Sequence, residues 1–221
     1  MIEQKYKNIR YLARFPADYD ESLQYPVIVF LHGAGTRGED INKLKENAFF
    51  IDIQKHKYFP FIIIAPLCNQ DTWFDMFSEL IEFSEFINNQ KYTDNDRLYL
   101  IGASMGGYAT WQLAMSKPEL FSAIVPICGG GMYWNAYRLK NIPVWAFHGH
   151  DDSIVHVEEN IKMVEAVNKS GGNAKITIYD DCGHNSWDKT YLNFNVFEWL
   201  LLNKKDGAKL EDNQYGTSDF G

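Results

Sequence analysis

The chain has 221 residues, a formal net charge of -8 and 23% charged residues. Its length suits one domain with a sizeable core, and 46% hydrophobic residues is ordinary globular usage, which excludes extensive disorder. The acidic balance leaves no basic stripe or polybasic cluster to neutralise phosphates or anionic lipid, so neither nucleic acid nor a membrane is an expected partner.

The opening Met1-Ile2-Glu3-Gln4-Lys5 has no apolar leader, and no run approaches membrane-spanning length. The cytoplasm is therefore the expected compartment. Tyr6–Phe15 reads as an extra edge strand before a turn region at Asp18–Gln24. Short runs rich in β-branched and aromatic residues then follow at Val27–Leu31, Phe61–Ala65, Leu98–Ile101, Ala123–Ile127, Val144–His148 and Ile176–Tyr179. Each is too short for a helix, and near-continuous apolar strands suggest a sheet covered on both faces.

Helical spacing lies between them. Met76, Leu80, Phe83 and Ile87 recur at three- and four-residue intervals, as do Ile161, Val164 and Val167, and then Leu192, Val196 and Trp199. The stretch after Ser104 carries Ala109, Leu113 and Ala114 and stops near Pro118. Such alternation predicts an α/β fold, with a mainly parallel central sheet and helices on both faces. Only Ile41–Tyr58 and Gly129–Leu139 are sizeable excursions, so no large lid domain is expected. Residues 1–203 read as a single domain, and 204–221 as a polar, flexible C-terminal tail. The cysteines Cys68, Cys128 and Cys182 are odd in number and far apart, which suits small packed residues rather than a disulfide or zinc framework.

The strongest chemical signal is Gly102-Ala103-Ser104-Met105-Gly106, directly after one predicted strand and directly before a helix. That is the setting of a nucleophile elbow, where serine sits on a sharp turn and small neighbours let strand and helix approach. A serine hydroxyl needs a base, and the base needs an orienting acid. Four histidines lie downstream: His148, His150, His156 and His184. His184 follows the last strand in the loop Asp181-Cys182-Gly183-His184, so its imidazole can reach back across the sheet top. The acid belongs after the preceding strand, and His148-Gly149-x-x-Asp152-x-x-Val155 favours Asp152, with Asp151 as its solvent-facing neighbour. Asp180, Asp181 and Asp188 share the stretch of His184 and are weaker rivals. For an oxyanion hole, His32-Gly33-Ala34-Gly35 follows the strand Val27–Leu31. Its N–H donor is Ala34, with Gly35 the second choice, and the partner donor is the N–H of Met105. No metal ligand set or cofactor motif is assigned.

Tyr25-Pro26-Val27-Ile28-Val29-Phe30-Leu31-His32-Gly33-Ala34-Gly35, the elbow with Gly107, and Cys182-Gly183-His184 together resemble the α/β-hydrolase superfamily. Within it the likeness is to compact esterases of the feruloyl-esterase, polyhydroxybutyrate-depolymerase-like and phospholipase/carboxylesterase groups, over about Tyr25 to Leu202. The resemblance implies the α/β-hydrolase fold. It also implies cleavage of carboxylic esters through an acyl-enzyme, with Ser104 as nucleophile, His184 as base and Asp152 as acid. Dienelactone hydrolases share the scaffold but use cysteine where Ser104 stands. His156 departs from the pattern, in which proline commonly follows the valine. Trp73, Tyr133, Trp134 and Trp187 stand near the motifs as candidate walls of an acyl or aryl pocket, to which Gly35 would add backbone. Such a pocket would suit short-chain or hydroxycinnamoyl esters as small-molecule substrates.

Three alternatives share parts of this pattern. A prolyl-oligopeptidase-like peptidase has the same residue order but usually a gating domain. A metal hydrolase could use the ligand types in His148-Gly149-His150-Asp151-Asp152, though without matching histidines elsewhere. A non-catalytic binding module on this scaffold would be expected to have lost an elbow glycine or a catalytic side chain. The sequence leaves acyl and alcohol specificity and oligomeric state open.

Overall fold

The computed structural model describes residues 1–205. In chain order the strands are β1 (Ile2–Tyr6), β2 (Ile9–Arg14), β3 (Tyr25–Leu31), β4 (Ile62–Pro66), β5 (Thr93–Ala103), β6 (Ala123–Ile127), β7 (Val144–Gly149) and β8 (Ala174–Tyr179). The helices are α1 (Asn42–Lys45), α2 (Ala48–Asp52), α3 (Phe77–Asn88), α4 (Met105–Ser116), α5 (Glu158–Lys169), α6 (Ser186–Leu192) and α7 (Phe194–Leu201). One eight-stranded sheet has the order β1-β2-β4-β3-β5-β6-β7-β8. β1 and β2 pair antiparallel, β2 joins β4 antiparallel, and every other pairing is parallel.

The apolar runs hide a period of two because both sheet faces are covered. Val27, Val29 and Leu31 point into a core shared with α3, α4 and α5, where Leu80, Phe83, Trp111 and Met163 are buried. Ile28 and Phe30 point the other way, onto Phe49 and Phe50 of α2 and Val196, Phe197 and Leu200 of α7. Each such side chain contributes roughly 1.5–3 kcal/mol when fully buried, so the two-sided cover is the main source of the sheet's rigidity.

Two local expectations change. The single edge strand predicted at Tyr6–Phe15 is a hairpin instead, because Lys7 takes φ 50° in a tight turn ahead of β2. The last helical stretch is two helices, since the Asn193 side chain accepts from Asn195 N–H and caps a new start there. Leu192 consequently falls outside the buried stripe and is 47% exposed. At the C-terminal end, Lys205 N–H donates to Asp96 O and Tyr99 Oη donates to Asn203 O, tying the chain to β5 as far as it is described. The tail expected over 204–221 otherwise lies outside the described residues. Among those described, no inserted domain covers the sheet top and no helix is long and apolar enough to cross a membrane.

Candidate active site

β5 ends at Ala103 and α4 starts at Met105, leaving Ser104 between them at φ 56° and ψ −117°, a backbone region costly for any side-chain-bearing residue. The strain is held by Ser104 N–H donating to Ile127 O at 2.9 Å and by Tyr108 N–H donating to Ser104 O at 3.0 Å. The flanking glycines answer to close approach. A Cβ on Gly102 would lie 2.3 Å from Gly106 O, and one on Gly106 would lie 1.9 Å from Leu31 O. Strand, turn and helix can meet only if both positions lack side chains.

The loop after β8 brings His184 over this turn. Its Nε2 is 2.8 Å from Ser104 Oγ, and its Nδ1 is 2.7 Å from Asp152 Oδ2. Asp152 follows β7, and its carboxylate is fully buried. Oδ1 accepts from the N–H groups of Ile154 and Val155, each at 2.9 Å. Burial alone would raise this carboxyl's pKa. The His184 hydrogen bond and the two amides outweigh it, so Asp152 sits below the usual carboxylate range and is charged. Because the charged Asp152 carboxylate can only accept, Nδ1 of His184 carries the hydrogen on that side, and in the neutral ring Nε2 accepts from Ser104. Asp151 is exposed and pairs with His150. His156 is exposed as well, so of the four downstream histidines only His184 touches Ser104.

The loop after β3 packs beside the serine as a short 3-10 turn, Ala34–Thr36, and a Cβ on Gly33 would lie 3.5 Å from Ser104 Cβ. His32 beneath it is fully buried, with Nδ1 donating to Gly33 O at 2.8 Å and Nε2 accepting from Cys68 N–H at 3.0 Å. Burial pushes its pKa down to about 4, so the ring is a neutral strut. Trp73, expected as a pocket wall, is fully buried, and its indole N–H donates to His32 O at 3.0 Å. It supports the loop from behind and cannot meet a substrate. The N–H groups of Ala34 and Met105 donate to no acceptor among the described residues.

A cleft of about 400 Å³ opens in front of Ser104. Gly33, Ala34, Gly35 and Thr36 form one side, Asn47 and Ala48 of the α2 entry another, and Trp187, Tyr191 and Ile154 complete it with His184. Gly35 and Trp187 therefore sit where the sequence suggested, and the Trp187 ring stands edge-on to His184 at 5.3 Å. Trp134 does not. The 3-10 turn Tyr133–Leu139 buries Ala136 and Leu139, which turns Trp134 outward at 68% exposure. It lines neither this cleft nor the more open depression of about 530 Å³ between Phe74, Phe77, Tyr108 and Met132. Asn47, Ile154 and Tyr191 were missed. Asn47 carries only the sequence signal of a helix cap, which it also is: its side chain accepts from Phe49 N–H and donates to Thr36 Oγ1. Of ligand-type side chains, Cys128 Sγ, an Asp152 oxygen and a His184 nitrogen lie within 4.8 Å of one another, while His148 and His150 diverge into core and solvent.

Residues 69–141 match the Prolyl oligopeptidase family, a span that includes the Ser104 turn and stops before Asp152 and His184. A solved structure described as a thermostable esterase superposes with a TM-score of 0.81 at 31% identity, over 92% of this chain and 63% of that one. The chain has the α/β-hydrolase fold. It thus spans less than two thirds of that esterase. A ferulic acid esterase structure shares the fold, with a TM-score of 0.69 at 16% identity over 87% of this chain and 91% of that chain. In sequence, the chain is 23% identical over 185 residues to a protein named "Probable feruloyl esterase C" from Aspergillus niger, covering 81% of this chain and 68% of that protein. The likeness is thus to hydrolases of esterase type.

Proposed function

We propose that the protein is a serine carboxylesterase in which Ser104 is the nucleophile, His184 the general base and Asp152 the orienting acid. The observation that carries this reading is the unbroken line Ser104 Oγ–His184 Nε2, 2.8 Å, and His184 Nδ1–Asp152 Oδ2, 2.7 Å. Ser104 Oγ attacks the ester carbonyl as its proton passes to His184 Nε2, and Asp152 stabilises the imidazolium. The Ala34 and Met105 N–H groups receive the oxyanion, each such donor being worth about 10²–10³ in turnover. Collapse breaks the C–O bond, and His184 returns the proton to the departing alcohol. Water then repeats the sequence on the acyl-enzyme and releases the acid.

Apart from Asp152 behind it, no charged side chain among the described residues faces the cleft, which supports a neutral ester. Its about 400 Å³ matches a short acyl chain or a single aromatic acyl group such as a hydroxycinnamoyl. Labelling by a fluorophosphonate probe and turnover of p-nitrophenyl acetate should both vanish in Ser104→Ala. A folded wild-type protein that neither labels nor turns over would refute the reading. The match to the peptidase family favours one further arm: peptide p-nitroanilides, expected to be cleaved far more slowly than the esters.

A further inference from the structure

His148 lies near the end of β7 with its side chain fully buried. Its Nε2 is 2.8 Å from Val155 O and 3.2 Å from Asp152 Oδ2. Both are acceptors, so Nε2 carries the hydrogen. Val155 is thereby held through both its backbone groups, because its N–H donates to Asp152 Oδ1 at 2.9 Å.

The other ring nitrogen is assigned just as firmly. Nδ1 lies 3.0 Å from Nδ2 of Asn160, a fully buried side chain on α5. Asn160 Nδ2 also donates to Phe147 O at 3.1 Å, and its Oδ1 accepts from Trp111 Nε1–H at 2.8 Å. An indole nitrogen can only donate, so Oδ1 must face Trp111 and the amide N–H must face His148. Turning the amide over would set N–H against N–H and oxygen against the Phe147 carbonyl. The hydrogens therefore run one way, from Trp111 through Asn160 and His148 to the Val155–Asp152 loop.

We infer that His148 is a positioning residue for Asp152, an uncharged imidazole locked in one tautomer by Asn160 and Trp111 that pins the loop presenting the carboxylate to His184. The inference rests on the serine-esterase reading above. Charge neutrality matters because His148 and His184 approach the same oxygen, Oδ2. A second cation 3.2 Å away would compete for the carboxylate that must stabilise the His184 imidazolium. Burial pushes the His148 pKa below its ordinary value despite the opposing pull of Val155 O and Asp152, in keeping with an uncharged donor.

The test compares His148→Leu with His148→Gln, whose side-chain N–H can reach Val155 O and cannot become a cation. Thermal melts establish that each variant is folded. Loosening the Asp152 loop should lower kcat on p-nitrophenyl acetate and the fluorophosphonate labelling rate about tenfold in His148→Leu, with KM within about twofold. His148→Gln should recover most of that loss. The low-field proton resonance of the His184–Asp152 hydrogen bond should broaden in the leucine variant and return in the glutamine one. In wild-type protein, imidazole nitrogen spectra should show His148 protonated on Nε2 and bare on Nδ1. A folded His148→Leu that labels at the wild-type rate overturns the inference, as does equal impairment of both variants. If the leucine variant does not fold, the nitrogen spectrum decides, and a proton on Nδ1 overturns it. Wild-type labelling that is lost in Ser104→Ala upholds the esterase reading whatever His148 does. A wild-type protein silent to the probe removes both.

Discussion

Replacing His32 by glutamine tests whether a buried neutral imidazole supports the loop beside Ser104. In the unfolded chain this histidine has its ordinary pKa of 6.5, and in the folded protein burial holds it at about 4. Below pH 6.5 the unfolded state therefore binds a proton that the folded state refuses, so stability falls as pH drops and levels off below about 4. At 1.36 kcal/mol per pH unit, the full window is worth about 3 kcal/mol. Asp152 does not enter this window. Its carboxyl is held below 3.8, so its contribution is complete above that value and fades only as pH falls through its lower folded value. Glutamine can accept from Cys68 N–H but loses the donor to Gly33 O, a cost of about 1 kcal/mol at neutral pH. Urea unfolding followed by far-UV circular dichroism, at pH 7.5 and 4.5, should show wild type ahead at the higher pH. At the lower pH the gap should close or reverse. Parallel stability–pH curves for the two proteins would refute the argument that His32 is a buried neutral strut.

Further outcomes follow from the same geometry. In Asp152→Asn the side-chain oxygen must stay on the Ile154 and Val155 amides, which turns the NH₂ toward His184 and forces the wrong tautomer; kcat should drop about 10⁴-fold with the fold retained. Gly106→Ala, with its new methyl 1.9 Å from Leu31 O, should cost several kcal/mol or prevent folding, a loss that denaturant titration reads directly. Gly35→Ala meets nothing within 4 Å and should leave stability within about 0.5 kcal/mol by the same titration. Trp187→Ala should raise KM for aromatic esters more than for acetate, whereas Trp134→Ala, at the outward-facing site, should change neither.

Much of the fold was legible because its signals are local. Six apolar runs alternate with helical spacing, and a sheet covered on both faces needs that pattern whatever its neighbours do. The Ser104 turn was readable for the same reason, since Gly102 and Gly106 report a close approach within five residues. Asp152 and His184 followed from the order in which strand ends come together. What lay outside local reach was direction and partnership. Trp73 and Trp134 stand near motifs in sequence, yet one is turned into the core to hold His32 and the other out to solvent. Asn47, Ile154 and Tyr191 join the cleft from three separate elements.

The sequence by itself determined the α/β layering, the strained serine and the residue types of its partners, because periodicity and steric need act over a few residues. Only the tertiary structure decided which tryptophan touches the cleft and which histidine meets Ser104, which is a buried strut and which a donor. Those roles depend on burial and on the far ends of hydrogen bonds: Trp111 to Asn160, Asn160 to His148 and Trp73 to His32 join residues 49, 12 and 41 positions apart, distances over which no sequence pattern carries.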